Sequence, residues 1–101
     1  MSRNVHVEFS VQNMSIMKGT LAQMNIDFRE TNADQIEVAK RYHNIVFKTG
    51  QKTTCDDMDQ TFVNSIAQNY TVNAYKDRAI REGVNLREER LANGQIVLTR
   101  I

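Results

Sequence analysis

The apolar residues of this chain change period twice, which restricts it to a mixed fold. Val5, Val7, Phe9 and Val11 alternate with His6, Glu8 and Ser10, the period of two expected of a strand with one buried face. Immediately afterwards Met14, Met17, Leu21 and Met24 fall at offsets of three, seven and ten, a single stripe along a helical cylinder. Asn13 is placed to cap that helix, because its side-chain oxygen can accept from the unpaired first-turn N–H groups. Gly19 weakens the helix by about 1 kcal/mol relative to Ala, so packing has to hold it. Asn25 marks its end.

Alternation returns over Ile26-Asp27-Phe28-Arg29-Glu30, and Thr31-Asn32-Ala33-Asp34 is turn chemistry. Two further strands are expected over Gln35 to Lys40 and His43 to Thr49, with Ile36, Val38, Ile45 and Phe47 as their apolar positions. Gly50 marks a turn, and Lys52-Thr53-Thr54 can form a short return strand. Asp56 opens the longest helix, with Asp56, Asp57 and Asp59 where the helix dipole favours negative charge. Met58, Phe62, Val63, Ile66, Ala67 and Tyr70 form its apolar stripe. The phase rotates near Thr71-Val72 onto Tyr75, Ala79 and Ile80, so residues 56–83 form either one bent helix or two. Gly83 is suited to a left-handed helix end. Val84 to Leu91 and Gln95 to Ile101 flank Asn93-Gly94, a dipeptide suited to a type I′ hairpin turn. The order is β-α-β-β-β-α-β-β: an α+β fold with a mainly antiparallel sheet of five to six strands and two or three helices on one face. At 101 residues the chain makes one domain, 1–101, with no internal repeat or linker.

Several chemistries lack their residues. The chain carries 13 Lys+Arg and 12 Asp+Glu, a net charge of +1, so no global basic field argues for wrapping nucleic acid. Cys55 is the only cysteine, so no internal disulfide forms and a reducing, cytoplasmic setting is expected. No apolar run is long enough for a secretory signal or a membrane span. With Cys55, His6 and His43 as the only sulfur and imidazole ligands, and no metal-type spacing among them, no metal is expected. Cys55 lies beside Asp56 and Asp57, whose charge disfavours a thiolate, so an inert thiol is expected. Glu88 and Glu89 are neighbours on a strand and point to opposite faces. Thr49-Gly50-Gln51-Lys52-Thr53-Thr54 lacks the first glycine and the Gly-Lys pair of a phosphate loop, and the acidic segment after it would repel phosphate. No catalytic residue and no cofactor are expected.

One local surface stands out. Lys40, Arg41, Lys48 and Lys52 carry positive charge with no acidic residue between Lys40 and Thr54, and Tyr42 and Phe47 are interleaved. Such a hairpin could meet phosphates while Tyr42 stacks on a base. The same lysines also serve as an ordinary guard against edge-to-edge strand pairing.

The C-terminal half resembles a known family. Phe62-Val63-Asn64-Ser65-Ile66-Ala67-Gln68-Asn69-Tyr70, Ala79, Glu82-Gly83-Val84, Glu88-Glu89 and Asn93-Gly94-Gln95-Ile96-Val97-Leu98 are similar to the plastid and cyanobacterial family called hypothetical chloroplast reading frame thirty-five. The N-terminal strand and helix and the entry Met24-Asn25-Ile26-Asp27 are similar as well. Thr53-Thr54-Cys55-Asp56-Asp57 stands where the family has an aromatic-rich segment. The resemblance implies a fold, no catalytic residues, and an accessory role near an ATPase of the AAA type. The expectation is a non-catalytic accessory protein that binds another protein or itself, as a homo-oligomer. Alternatives are nucleic-acid or nucleotide binding through the basic 40–52 hairpin (Lys40, Arg41, Tyr42, Lys48, Lys52), or a small inhibitor or sequestering protein of a mobile element.

Overall fold

The structure, a computed structural model, describes residues 4–39 and 44–101. In chain order it contains β1 (Asn4–Ser10), α1 (Met14–Gln23), β2 (Arg29–Asn32), β3 (Gln35–Val38), β4 (Ile45–Lys48), β5 (Lys52–Asp56), α2 (Gln60–Arg81), β6 (Leu86–Arg90) and β7 (Ile96–Arg100), with a single 3-10 turn at Asp57–Asp59 leading into α2. This is an α+β fold with antiparallel strand pairing throughout. The strands divide into three hydrogen-bonded groups, β1-β5, β2-β3-β4 and β6-β7. β5 makes the division: after the Gly50 turn, where φ is 79°, it pairs with β1 in the register Val5↔Cys55 and Val7↔Thr53 and forms no ladder with β4.

The two helices end alike. Asn25 takes φ 57° and Gly83 φ 72°. The following N–H groups reach back to close the last turn, Ile26 to the Leu21 carbonyl at 2.9 Å and Val84 to the Ala79 carbonyl at 2.8 Å. Both are the reverse-turn closure that a left-handed residue makes possible. At the start of α1, Asn13 Oδ1 accepts from the Ile16 N–H at 3.2 Å, the cap expected from the sequence. Ile26 and Phe28 pack against the core without joining a ladder, so β2 begins only at Arg29.

One hydrophobic cluster holds these elements together. Val7, Phe9, Ile36, Val38, Ile45 and Phe47 supply the strand side, and Met14, Met17, Leu21, Val63, Ile66 and Tyr70 the helix side. Phe9 sits edge-on to both Phe47 and Tyr70, at centroid distances of 6.3 and 5.4 Å, the favoured aromatic arrangement. Tyr70 also fixes the β1–α1 connection, because its hydroxyl oxygen accepts from the backbone N–H groups of Gln12 and Asn13, each at 3.0 Å. The helices are tied to each other by Asn73 Nδ2, which donates to Thr20 Oγ1 at 3.0 Å and Gln23 Oε1 at 2.9 Å.

One open alternative is resolved and two expectations are corrected. Residues 60–81 form one continuous helix, and the rotated apolar face beyond Thr71 marks a change of neighbour instead of a second helix. Met58 is 69% exposed, because it lies in the 3-10 turn and is out of phase with the α2 stripe. The final hairpin does not use a type I′ turn. Gly94 alone has positive φ there, 88°. Leu91 N–H donates to the Gln95 carbonyl at 2.8 Å and Gly94 N–H to the Leu91 carbonyl at 3.0 Å. That is a three-residue loop whose last residue is left-handed, and Asn93 Oδ1 supports it by accepting from the Gln95 N–H at 3.0 Å.

Candidate functional site

The basic surface expected from the sequence is only partly in view. Lys40, Arg41 and Tyr42, together with His43, lie outside the described residues. Lys48 ends β4 and Lys52 begins β5, and both line an open depression of about 330 Å³ with Gln35, Val46, Gln51 and Thr54. Phe47, interleaved with these cations in the sequence, is fully buried in the core and cannot stack on a ligand. Lys52 Nζ lies 3.1 Å from Glu8 Oε1, because the β1-β5 pairing brings an acidic strand alongside the basic one. Among the described residues Lys48 alone of these lysines has no ion-pair partner.

Cys55 lies on the opposite, inner side of β5, and Asp56 ends that strand before the 3-10 turn that carries Asp57 and Asp59. Cys55 and Asp56 are almost wholly buried. Burial, followed by the charges of Asp59, Asp56 and Asp57, pushes the Cys55 thiol above its ordinary value, which keeps it protonated and a weak nucleophile. Asp56 Oδ1 accepts from the Met58 N–H at 2.9 Å and so caps the 3-10 turn. Asp59 stands at the start of α2 without a side-chain cap bond. His6 lies on the outer side of the same strand pair, with its Nδ1 3.0 Å from Thr54 Oγ1. Among the described residues no three His, Cys, Asp or Glu side chains converge as a metal-ligand group.

A different surface emerges at the C-terminal end of α2. After Gly83 the chain forms the β6-β7 hairpin, which joins neither of the other strand groups. Lys76 forms an ion pair with Glu88, whose other oxygen lies 3.3 Å from Arg90 Nε. The hydrogen bond from Lys76 is the main reason the Glu88 carboxyl titrates below the ordinary glutamate value; partial desolvation opposes it, and the charges of Lys76 and Arg90 assist. Two clefts lie at the junction of helix and hairpin. One, about 230 Å³, is lined by Tyr75, Arg78, Ala79, Glu82, Val84 and Arg100. The other, about 220 Å³, reaches from Lys76 and Ile80 to Leu86 and Leu98. Both fall below the ~300 Å³ from which small-molecule sites usually start.

This arm is only partly covered and carries exposed apolar side chains. No residue from 84 to 101 is buried. Ile80 is 78% and Ile101 81% exposed, and Tyr75, Leu91 and Val97 are each exposed over 40–49% of their surface. An isolated two-stranded hairpin is marginal in water, and further strands or a covering layer are what stabilise one. The sequence reading missed this surface. Its signals were the rotated stripe of Tyr75 and Ile80, and the alternating apolar residues Ile96 and Leu98 beside a charged β6. No family model, no curated protein and no solved structure matches the chain.

Proposed function

We propose that this is a non-catalytic accessory protein that acts by binding another protein chain through its C-terminal arm, the last turns of α2 and the β6-β7 hairpin. The observation that carries the reading is the exposure of Tyr75 and Ile80 near the end of α2 and of Val97 and Ile101 in and just after β7, on an arm where no residue from 84 to 101 is buried. Apolar surface left open to solvent is where interaction sites are found. The C-terminal segments of the resemblance to hypothetical chloroplast reading frame thirty-five fall on α2 and on this hairpin, and an accessory role agrees with that resemblance. The cytoplasmic setting inferred from the lone cysteine belongs to the same reading.

Binding of nucleic acid through the 40–52 segment receives less support, because Lys52 is matched by Glu8 and Phe47 is internal. Cross-linking in the native host followed by mass spectrometry tests the proposal. The double variant Ile80→Asp/Ile101→Asp, folded as the parent by circular dichroism, is expected to lose the partners that the parent chain captures. Recovery of the same partners by the variant would overturn it.

A further inference from the structure

The two free edges of the β6-β7 hairpin differ in a way that selects a partner. Along β6 the residues Arg87, Glu88, Glu89 and Arg90 are consecutive charges, whereas β7 reads Ile96-Val97-Leu98-Thr99-Arg100 with a charge only at its last position. Charge along an edge discourages strand addition, and an uncharged apolar edge invites it. When a strand pairs antiparallel with its own copy about a two-fold axis, the residue on the axis faces itself. Centring such a pair on any residue from Arg87 to Arg90 therefore sets two like charges directly opposite, which is unfavourable. Centring it on Leu98 pairs the whole of β7. Leu98 then faces the partner's Leu98, Val97 the partner's Thr99 and Ile96 the partner's Arg100, and no like charges meet.

The backbone is aligned for the same pairing. Leu91 and Ile101 donate to the Gln95 and Asn85 carbonyls respectively, and the ladder register runs Arg87↔Thr99 and Glu89↔Val97. Hydrogen-bonded and non-hydrogen-bonded pairs alternate along an antiparallel ladder. Val97, Thr99 and Ile101 therefore turn their amides toward β6, and Ile96, Leu98 and Arg100 turn theirs outward. Among the described residues no other strand is hydrogen-bonded at that outward edge. The radius of gyration is 14.5 Å, larger than the ~13 Å of a compact chain this long, as suits an arm with no buried residue.

We infer that β7 pairs antiparallel with β7 of a second copy of this chain, joining two hairpins into one four-stranded sheet in the order β6-β7-β7-β6. This rests on the reading of the arm as the binding element and names one occupant for its free edge. Sedimentation velocity over a concentration series up to the submillimolar range tests it. The parent chain is expected to approach twice its 11.7-kDa mass. Val97→Lys/Thr99→Lys, which sets lysine against lysine at two positions of the paired strands, is expected to stay monomeric with an unchanged thermal transition. Arg87→Ala on the other edge is expected to associate like the parent. Amide exchange supplies a second readout, in which Ile96, Leu98 and Arg100 gain protection with concentration while Val97 and Thr99 start protected. A parent chain that is monomeric throughout, or association undiminished in Val97→Lys/Thr99→Lys, would overturn the pairing. If the parent is monomeric but still captures a partner that Ile80→Asp/Ile101→Asp loses, self-pairing fails and the binding role stands. If that capture also survives in Ile80→Asp/Ile101→Asp, both fail.

Discussion

β1 and β7 are written in the same pattern and meet different fates. In β1 the alternate residues Val7 and Phe9 are buried beneath the helices, against Phe47 and Tyr70. In β7 the alternate residues Ile96 and Leu98 are only half-buried, and the pocket beneath Leu98 remains open to Lys76 and Ile80. Alternation makes a strand two-faced, but burial requires a second layer, and the body spends both helices on the first three-quarters of the chain. What α2 offers the hairpin is its rotated C-terminal face, where Ala79 is buried and Ile80 is not. The body is therefore a core held by fully buried apolar area, whereas the arm meets α2 through half-buried apolar residues, polar links such as Lys76–Glu88 and the Gly83 turn.

The sharpest way to break this contrast is to truncate one residue in each region. Phe47→Ala removes a ring with no exposure and is expected to cost about 3–5 kcal/mol. Val97→Ala, measured at concentrations low enough to keep the chain monomeric, is expected to stay within about 0.5 kcal/mol. Denaturant unfolding measures both, and similar losses at the two sites would erase the distinction between body and arm. Tyr70→Phe probes the body more finely, because it keeps the ring against Phe9 and removes only the oxygen that accepts from Gln12 and Asn13. A loss of about 1–2 kcal/mol is expected, and an unchanged midpoint would show that water replaces that oxygen without cost.

The smallest effect is expected in acid. Glu88 titrates below the ordinary glutamate value because Lys76 hydrogen-bonds its carboxylate. A carboxyl whose value is lowered by folding stabilises the folded state above its unfolded-state value, about 4.3, and that contribution disappears as pH falls through the lowered folded value. Amide protection within β6 and β7 is therefore expected to decline below about pH 4, and Glu88→Gln to remove that step. An arm whose acid response is the same in Glu88→Gln would show that the Lys76 link does not hold it.

Much of the secondary structure was legible from local rules. Asn13 as a cap, Asn25 as a helix stop, Gly83 as a left-handed end, and the Met14-Met17-Leu21 stripe each depend on a few neighbouring residues, and each occurs where the sequence indicates. The candidate site was less legible. Lys48 and Lys52 are near each other in the chain and line one depression, but the Glu8 that neutralises Lys52 comes from a strand 44 positions away. Asn93-Gly94 announced a turn, while the loop length that set its type depended on the register of β6 with β7.

From its amino acids alone, the chain was bound to alternate strands with amphipathic helices, to stop those helices at Asn25 and at a left-handed Gly83, and to lack an internal disulfide. Those outcomes follow from backbone geometry and composition within a few residues. Only the tertiary structure decided that β5 would return to β1, that α2 would run unbroken past a rotated stripe, and that the last hairpin would stand without a covering layer. Each of these depends on which apolar faces reach one another in space, and two helices cannot fully cover every strand of this chain.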